Sequence, residues 1–155
     1  MSILIRPGQS PDDLFYVKQQ MLASLYYHKD GISNCWQNKG ISRPVFMTEH
    51  GAVVDELFKV AEVLMAADSE SPESYYGFLM FQQTIEGLIV HYAYTKKVFW
   101  KNGVQRKLFA KAGYKDGDKV IMTHLTKKGM DALKGRDLSK WTHNPYLAYF
   151  PVSKN

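Results

Sequence analysis

The spacing of apolar positions in the first part of the chain predicts one strand and two helices. Residues 3–6 form a short apolar run before a proline, which is typical of a strand. Ser10 and Pro11 then stand where a helix cap and a first helical residue are expected, and the apolar side chains that follow are spaced for one face of a helix over residues 10–27. Residues 48–67 carry a second helical stripe, and we expect their final residues to be strand.

Beyond the polar stretch 68–74 the apolar residues change from helical to alternating spacing. Aromatic and β-branched side chains fill two runs joined by a glycine turn, which predicts an antiparallel strand pair. Farther along, strand-like and helix-like runs alternate, and the end of the chain has the composition of two strands around a turn at Asn144 and Pro145. The predicted elements are strands over 75–83, 88–99 and 119–125, helices over 103–113 and 126–135, and a final strand pair within 141–153.

This order of elements predicts a mixed α/β domain. The length of 155 residues and the hydrophobic content of 45% suit a single domain, residues 1–155, with a core of its own. Apolar runs are far shorter than the ~20 residues that a membrane-spanning helix needs, so we expect no membrane segment. Cys35 is the only cysteine, which excludes an internal disulfide and favours a cytoplasmic protein.

The formal charge of +5, from 20 basic and 15 acidic residues, favours an anionic partner such as a phosphorylated cofactor or nucleic acid. Ten tyrosines, eight phenylalanines and three tryptophans would also suit nucleic-acid bases stacked on exposed rings. Most of these rings, however, alternate within predicted strands or follow helical stripes, so packing in the core explains them first. The chain has no helix-turn-helix, zinc-finger or RRM motif, and nucleic acid is therefore a partner that no motif supports.

The most informative segment is residues 75–113, in which a strand pair leads through a turn at Gly103 into a cationic helix. In its order of elements and in the place of this turn, the chain resembles the GNAT family of acyl-CoA-dependent N-acetyltransferases. The family signature Q/R-x-x-G-x-G/A falls on residues 100–105, where Gly103 matches, Trp100 replaces Gln or Arg, and Gln105 replaces Gly or Ala. The resemblance implies a GNAT-like fold, with a central, mostly antiparallel sheet, a splayed parallel strand pair and flanking helices. The divergent signature and compact size are similar to those of some members encoded by bacteriophages or mobile elements.

The resemblance also implies an acyl-CoA site, with acetyl-CoA as the expected cofactor. A helix N-terminus presents unpaired N–H groups and a partial positive charge, so the turn before the helix over 103–113 is suited to a pyrophosphate. In the splayed cleft, the backbone of the preceding strand would pair with pantetheine. The implied cofactor-binding residues are Ala93, Tyr94 and Thr95 in that strand and Lys101, Asn102, Gly103, Val104, Gln105 and Arg106 in the turn.

Transfer of an acyl group to an amine requires a base, and two residues are candidates for that role. His91 lies midway along the central strand and has an ordinary pKa of about 6.5. Glu86 begins that strand, in the region where the resemblance implies a carboxylate base. The family's thiolate-protonating tyrosine is missing from residues 126–135, and Tyr146 is the candidate to replace it. Each candidate has a structural alternative: a hydrogen-bonded histidine in the sheet, a hairpin-turn glutamate and a packed aromatic ring.

No motif identifies the amine acceptor or an oligomeric state. By resemblance, the loop that contains Asn34, Cys35 and Trp36 contributes to the acceptor pocket, and Cys35 has no partner motif for a nucleophile. We expect His124 and His143 to lie near each other, but the chain lacks the helical histidine spacings of zinc enzymes, so no metal is expected. The predicted function is acyl transfer from acetyl-CoA to an amine. The alternative is a GNAT-like fold without catalysis that binds protein or nucleic acid.

Overall fold

The computed structural model describes residues 1–27, 36–126, 135 and 137–154. Residues 127–134 of the helix predicted over 126–135 lie outside these ranges. None of the described helices is long and apolar enough to cross a membrane. The strands are β1 (Ile3–Pro7), β2 (Glu62–Asp68), β3 (Tyr75–Thr84), β4 (Gly87–Thr95), β5 (Val120–Met122) and β6 (Trp141–His143). The helices are α1 (Pro11–Tyr27), α2 (Arg43–Val60), α3 (Val104–Lys111) and α4 (Tyr146–Tyr149), with short 3₁₀ helices over Trp36–Lys39 and Lys97–Phe99.

The first helix forms where its cap and its apolar stripe predict it. The hydroxyl of Ser10 accepts a hydrogen bond from the Asp13 N–H at 3.0 Å, and Pro11 is the first helical residue. This cap satisfies one of the N–H groups that a helix start leaves without a partner. Val17 and Met21 of the predicted stripe are fully buried, which confirms the helix and its inner face.

The second helix begins earlier than its apolar stripe predicts. α2 starts at Arg43, ahead of the predicted range 48–67, since Ser42 has extended backbone angles (φ −70°, ψ 151°) and a proline follows in the first turn. The helix ends at Val60, because Ala61 returns to extended angles and the chain continues into β2. The expected change from helix to strand is confirmed.

The six strands lie in the order β1-β2-β3-β4-β5-β6. The first four pair antiparallel, whereas β4 with β5 and β5 with β6 pair parallel. The chain can run parallel from β4 to β5 because α3 connects them. The expected fold class is confirmed: a mixed α/β fold with a mostly antiparallel sheet, a parallel pair and flanking helices.

Each face of the sheet has its own core. On one face, α1 and α2 pack on the sheet through side chains such as Met21 and Leu57, which meet Phe78 of β3. On the other face, α3 packs through Leu108 against a cluster that includes Val90 of β4. β4 is therefore covered by helices on both faces, which fixes the position of its residues.

Three predictions about strands are wrong, and one of them is the strand predicted over 119–125, which is only Val120–Met122. The strand predicted over 88–99 ends at Thr95, because the chain turns into the 3₁₀ helix Lys97–Phe99. The predicted C-terminal strand pair is a single strand, β6, followed by α4. The side chain of Asn144 accepts a hydrogen bond from the Tyr146 N–H at 3.1 Å, which starts a helical turn in place of a hairpin.

Candidate functional site

Strand β4 is paired along only part of its length on the β5 side. The register of β5 ends with Met122 opposite Val90. The last described bond of this ladder runs from the Thr123 N–H to the Val90 carbonyl at 3.1 Å. β4 itself continues to Thr95. The sheet therefore opens between β4 and β5 beyond Val90, and we call this gap the β4–β5 opening.

A bulge in β4 marks the point where the sheet opens. Met80 pairs with Tyr92 and Phe81 pairs with Val90, which leaves His91 as an extra residue. A bulge bends its strand and increases the local twist. It also changes which residues of β4 turn their backbone groups toward the β5 side.

Two residues of β4 turn their backbone groups into the β4–β5 opening. The Lys96 N–H donates to a carbonyl of β3 at 2.9 Å, and residues bonded to an antiparallel neighbour alternate along a strand. Tyr94 therefore faces β3, whereas Ala93 and Thr95 face the opening. The Thr95 carbonyl accepts a hydrogen bond from the Trp100 indole N–H at 2.9 Å. Of the three cofactor residues predicted in this strand, Ala93 is the one whose N–H and carbonyl face the opening without a described partner.

Helix α3 begins beside this opening. Gly103 precedes it with left-handed backbone angles (φ +73°, ψ 21°), which residues with a side chain adopt at a cost. Apart from its chain neighbours, no described residue approaches within 4 Å of the place that a Cβ would occupy. The N–H groups of Val104, Gln105 and Arg106 stand at the helix start and have no acceptor among the described residues. These groups and the positive end of the helix are features that bind anions.

One residue of the turn that was predicted to bind the cofactor, Asn102, does not have a free N–H group. The Asn102 N–H donates to the Phe99 carbonyl at 3.1 Å, so the turn itself uses it. Lys101 has no described backbone acceptor for its N–H, and its side chain is exposed. The need for glycine at 103 comes from its left-handed backbone, since the space for a side chain is open.

The Gln105 side chain turns away from the start of α3. Its Nε2 donates to the Tyr94 carbonyl at 2.8 Å and to the Thr95 Oγ1 at 3.0 Å. Its Oε1 is buried and has no partner in the described part of the chain. A long side chain at this position therefore leaves the N–H groups of the helix start uncovered. It also leaves a buried acceptor without a partner beside the end of β4, which is rare in folded proteins.

Positive charge is concentrated around the same helix start. Between residues 95 and 115 the chain has basic residues and no acidic one, whereas acidic residues outnumber basic ones in the rest of the sequence. An uninterrupted cationic segment raises the local potential and adds to the field of the helix dipole. The seven basic residues are Lys96, Lys97, Lys101, Arg106, Lys107, Lys111 and Lys115.

The structure places the side chain of His91 in the interior of the fold. The residue is 0% exposed, and its ring nitrogens lie 3.1 Å from the Thr123 Oγ1 and 2.9 Å from the Gln82 Oε1. Burial lowers the pKa of His91 to about 4, so the ring is neutral at pH 7. Because both ring nitrogens have hydrogen-bond partners, His91 has no free nitrogen that could accept a proton from an amine. It matches the structural alternative, a hydrogen-bonded histidine in the sheet.

The other two predicted catalytic residues are both exposed, and Glu86 lies far from the opening. Glu86 is exposed in the β3–β4 turn, beside a shallow depression of about 310 Å³. At about 3.4 Å per residue, β4 separates it from Ala93 by roughly 20 Å. Tyr146 is 71% exposed at the start of α4 rather than on a strand. The structure therefore leaves Glu86 at the opposite end of β4 from Ala93, and it places Tyr146 on the surface.

A histidine pair that the sequence pattern missed, with His50 buried and His124 half-buried, lies next to the opening. The Nε2 atoms of His50 in α2 and His124 after β5 are 3.0 Å apart. His143 is close enough to lower the pKa of His124, in line with the expected proximity of these two. The paired residues are 74 positions apart on different elements, so no local spacing indicates them. No described group of three metal-binding side chains lies together.

The predicted acceptor loop is only partly described. The ring centroid of Trp36 lies 6.1 Å from that of His50, and both pack with Phe46. Asn34 and Cys35 lie outside the described residues. The loop therefore approaches the histidine pair through Trp36.

Solved structures of other proteins share this arrangement of strands and helices. No family model matches the sequence, and no curated protein matches it. A Pyrococcus furiosus protein assigned as an acetyl transferase matches with a TM-score of 0.58 and 12% identity, over 87% of this chain and 93% of that one. The PaiA N-acetyltransferase of Thermoplasma acidophilum, solved in complex with coenzyme A, matches with a TM-score of 0.50 and 18% identity, over 73% and 70%. The chain has the GNAT fold, in a form that is divergent in sequence.

Proposed function

We propose that this protein transfers an acyl group from acyl-CoA, with acetyl-CoA as the expected donor, to an amine. The observation that carries the proposal is the start of α3. There, three N–H groups without described acceptors follow a left-handed glycine, within a segment that has seven basic residues and no acidic one. A pyrophosphate needs such donors and such charge. The coenzyme A complex of the Thermoplasma protein, which has the same fold, supports this assignment.

Other groups at the opening fit the rest of coenzyme A. The carbonyl of Ala93 faces the opening and suits an amide N–H of pantetheine. The buried Gln105 Oε1 would gain a donor there. The indole ring of Trp100, 51% exposed beside Lys101, offers a surface on which a purine base can stack. The single Cys35 supports a reducing cytoplasm as the place of action.

Bound acyl-CoA supplies a thioester carbonyl that an amine can attack. The chain's own part is to hold that carbonyl at β4, where the Ala93 N–H can donate to its oxygen as negative charge develops. The free N–H groups of α3 and the cations around them hold the phosphates, which keeps the thioester in place. A group of the chain must also take the proton that the amine loses.

Calorimetric titration with acetyl-CoA tests the proposal, with Gly103→Asp and Gly103→Asn as a matched pair. Both substitutions require the same left-handed angles, which Asn and Asp tolerate, and the space beside the residue is open to either. The two variants therefore differ mainly in charge. We expect wild-type binding with a Kd of about 1–100 μM, at least about tenfold weaker binding by the Asp variant, and a change within about threefold for the Asn variant.

A wild-type protein that does not bind acetyl-CoA would overturn the proposal. The alternative is then a GNAT-fold binding module without catalysis, which the distance of Glu86 from the opening favours. Binding to a DNA oligonucleotide that weakens steeply with salt would support that alternative. Thiol release from acetyl-CoA that depends on an added primary amine would support the enzyme.

A further inference from the structure

A chain of hydrogen bonds runs from α2 through the interior to β3. The Nε2 atoms of His50 and His124 are 3.0 Å apart, and the His124 Nδ1 lies 3.0 Å from both the Thr123 Oγ1 and the His91 carbonyl. The Thr123 Oγ1 lies 3.1 Å from the His91 Nδ1, and the His91 Nε2 lies 2.9 Å from the Gln82 Oε1. We call these five residues the histidine chain.

The positions of the protons at the inner end follow from the partners. The Gln82 Nε2 donates to the Val152 carbonyl at 2.7 Å, so its Oε1 faces His91 and accepts the Nε2–H of that ring. The His91 Nδ1 is then an acceptor, and the hydroxyl of Thr123 donates to it. His91 is therefore a neutral ring with its proton on Nε2.

The hydrogen-bond partners also determine which ring nitrogens carry protons at the outer end of the histidine chain. The His91 carbonyl can only accept, so His124 carries its proton on Nδ1. The Nε2 of His124 is then an acceptor for the Nε2–H of His50. All donors point in one direction along the histidine chain. The Nδ1 of His50 is the acceptor at its outer end, and no described residue hydrogen-bonds to it.

The surroundings keep the outer pair neutral at pH 7. Burial lowers the pKa of His50 to about 4, and burial together with the neighbouring rings lowers that of His124 to about 3. No carboxylate or lysine of the described residues shifts either value. A bound anion would therefore be the charge that changes them. The titratable groups that face the pair are His91 and Tyr92 of β4, His143 of β6 and Tyr149 of α4.

The pair also lies at the edge of the β4–β5 opening. His124 directly follows Thr123, whose N–H makes the last described bond to β4. Its Nδ1 bonds to the carbonyl of His91, two residues before Ala93. An amine that attacks a thioester held at Ala93 would thus react near His124, whose other ring nitrogen contacts His50.

We propose that His50 and His124 together accept the proton that the amine loses during acyl transfer, an inference that rests on the proposed function. The amine nitrogen forms a bond to the acyl carbon, the carbon–sulfur bond breaks, and the thiolate leaves and takes a proton from solvent. The amine proton goes to the Nδ1 of His50. A shift of the Nε2–H from His50 to His124 then spreads the positive charge over both rings, and the proton returns to solvent after the product leaves.

The charge of acyl-CoA makes the pair a better base when it is needed. Bound acyl-CoA adds negative charge to the protein, and negative charge favours the protonated form of an imidazole, which offsets the effect of burial. Without acyl-CoA the rings stay neutral and ready to accept a proton. This arrangement assigns the proton-accepting role to His50 in α2 and His124 after β5 rather than to Glu86 or His91.

Two measurements test the inference, with His50→Gln as the variant and His143→Gln as its matched control. His143 is an exposed neighbour outside the histidine chain. NMR titration of the wild-type histidine rings should show the pKa of His50 or His124 rising by about one unit or more when acetyl-CoA is bound. Thiol release from acetyl-CoA is followed with a lysine peptide, a polyamine or an arylamine as acceptor, and with water as background.

We expect thiol release to fall about 100-fold in His50→Gln and to lose the acid limb of its pH profile. The Kd for acetyl-CoA should stay within about threefold of wild type, and His143→Gln should release thiol within about twofold of wild type. These results would separate a proton-accepting role from a structural one. If His50→Gln does not fold, the NMR titration of the wild-type protein decides alone.

The failures of the two proposals are distinguishable. Absence of acetyl-CoA binding by wild type would remove the proposed function and this inference with it. Binding without any change in the pKa of His50 or His124, or equal thiol release by wild type and His50→Gln, would overturn the inference and leave the proposed function standing.

Discussion

The side-chain amide of Gln105 donates to the backbone carbonyl of Tyr94 at 2.8 Å, which ties the first turn of α3 to the open end of β4. The same nitrogen donates to the Thr95 Oγ1 at 3.0 Å. These contacts explain how the chain accommodates a long side chain where the GNAT signature has Gly or Ala. They also make the position of the α3 N–H groups depend on Gln105.

Replacement of Gln105 by Ala should therefore weaken both the fold and the site. Loss of the bonds to Tyr94 and Thr95 is expected to lower the free energy of unfolding by about 1–2 kcal/mol. Gln105→Glu keeps the size but turns a carboxylate toward the Tyr94 carbonyl, so it should cost more. Urea unfolding and calorimetry with acetyl-CoA measure the two effects. Unchanged stability in both variants would contradict the role of this contact.

The carboxylate of Asp13 should contribute more to the free energy of unfolding than a surface carboxylate does. Its buried side chain accepts hydrogen bonds from Arg6 at 2.7 and 2.9 Å and from the Tyr75 hydroxyl at 2.6 Å. The Arg6 guanidinium holds the pKa of Asp13 well below its usual range. Asp13→Asn leaves a part-buried guanidinium without its anion, and we expect a loss of about 2–4 kcal/mol.

The matched control for that loss is Asp55→Asn. Asp55 pairs with Lys18 on the surface and its side chain is 55% exposed. The same substitution there should cost less than about 1 kcal/mol. Urea unfolding curves of the two variants give the comparison. Equal losses would show that the Arg6 pair adds no more than a surface ion pair.

As the pH falls below about 6.5, the buried histidines should make the protein less stable before its carboxylates take up protons. Folding lowers the pKa of His50 and His91 to about 4, whereas the unfolded chain has values of about 6.5. The unfolded state therefore binds more protons as the pH falls from about 6.5 toward 4, and the free energy of unfolding decreases over that window. Asp13, whose pKa is lowered, contributes stability that is lost only as the pH falls below about 4.

Urea unfolding at pH values from about 7 down to 5 measures this loss. Each histidine that is protonated in the unfolded chain and neutral in the folded one should lower the free energy of unfolding by about 1.4 kcal/mol per pH unit. His50→Gln should show a smaller dependence on pH than wild type. The same slope in both proteins would mean that His50 is not buried in its neutral form.

Acyl-CoA binding should depend on the cations at the start of α3. Lys101→Gln and Arg106→Gln each remove one exposed charge beside the free N–H groups, and each should weaken acetyl-CoA binding about two- to fivefold at low salt. Lys59→Gln on α2 is the control, because it is equally exposed and pairs with Glu56. Calorimetry at low and high salt should show the difference shrinking as salt rises. A similar loss in all three variants would indicate a general charge effect.

Local rules predicted much of the fold. The Ser10 cap, the apolar stripe of α1 and the alternation of β3 and β4 act within a few residues, so the sequence displays them directly. The turn at Gly103 was also predictable, and its left-handed backbone explains the glycine. The C-terminal strand pair was wrong because the Asn144 side chain starts a helical turn there.

The sequence by itself determined the mixed α/β order, the caps, and the glycine turn that precedes a cationic helix, since these depend on neighbours along the chain. Only the tertiary structure decided which side chains meet at the β4–β5 opening. It buried His91, left Glu86 at the far turn, and joined His50 to His124 across 74 positions. The reason is that a hydrogen bond between distant residues depends on the packing of helices on the sheet, and no spacing along the chain records it.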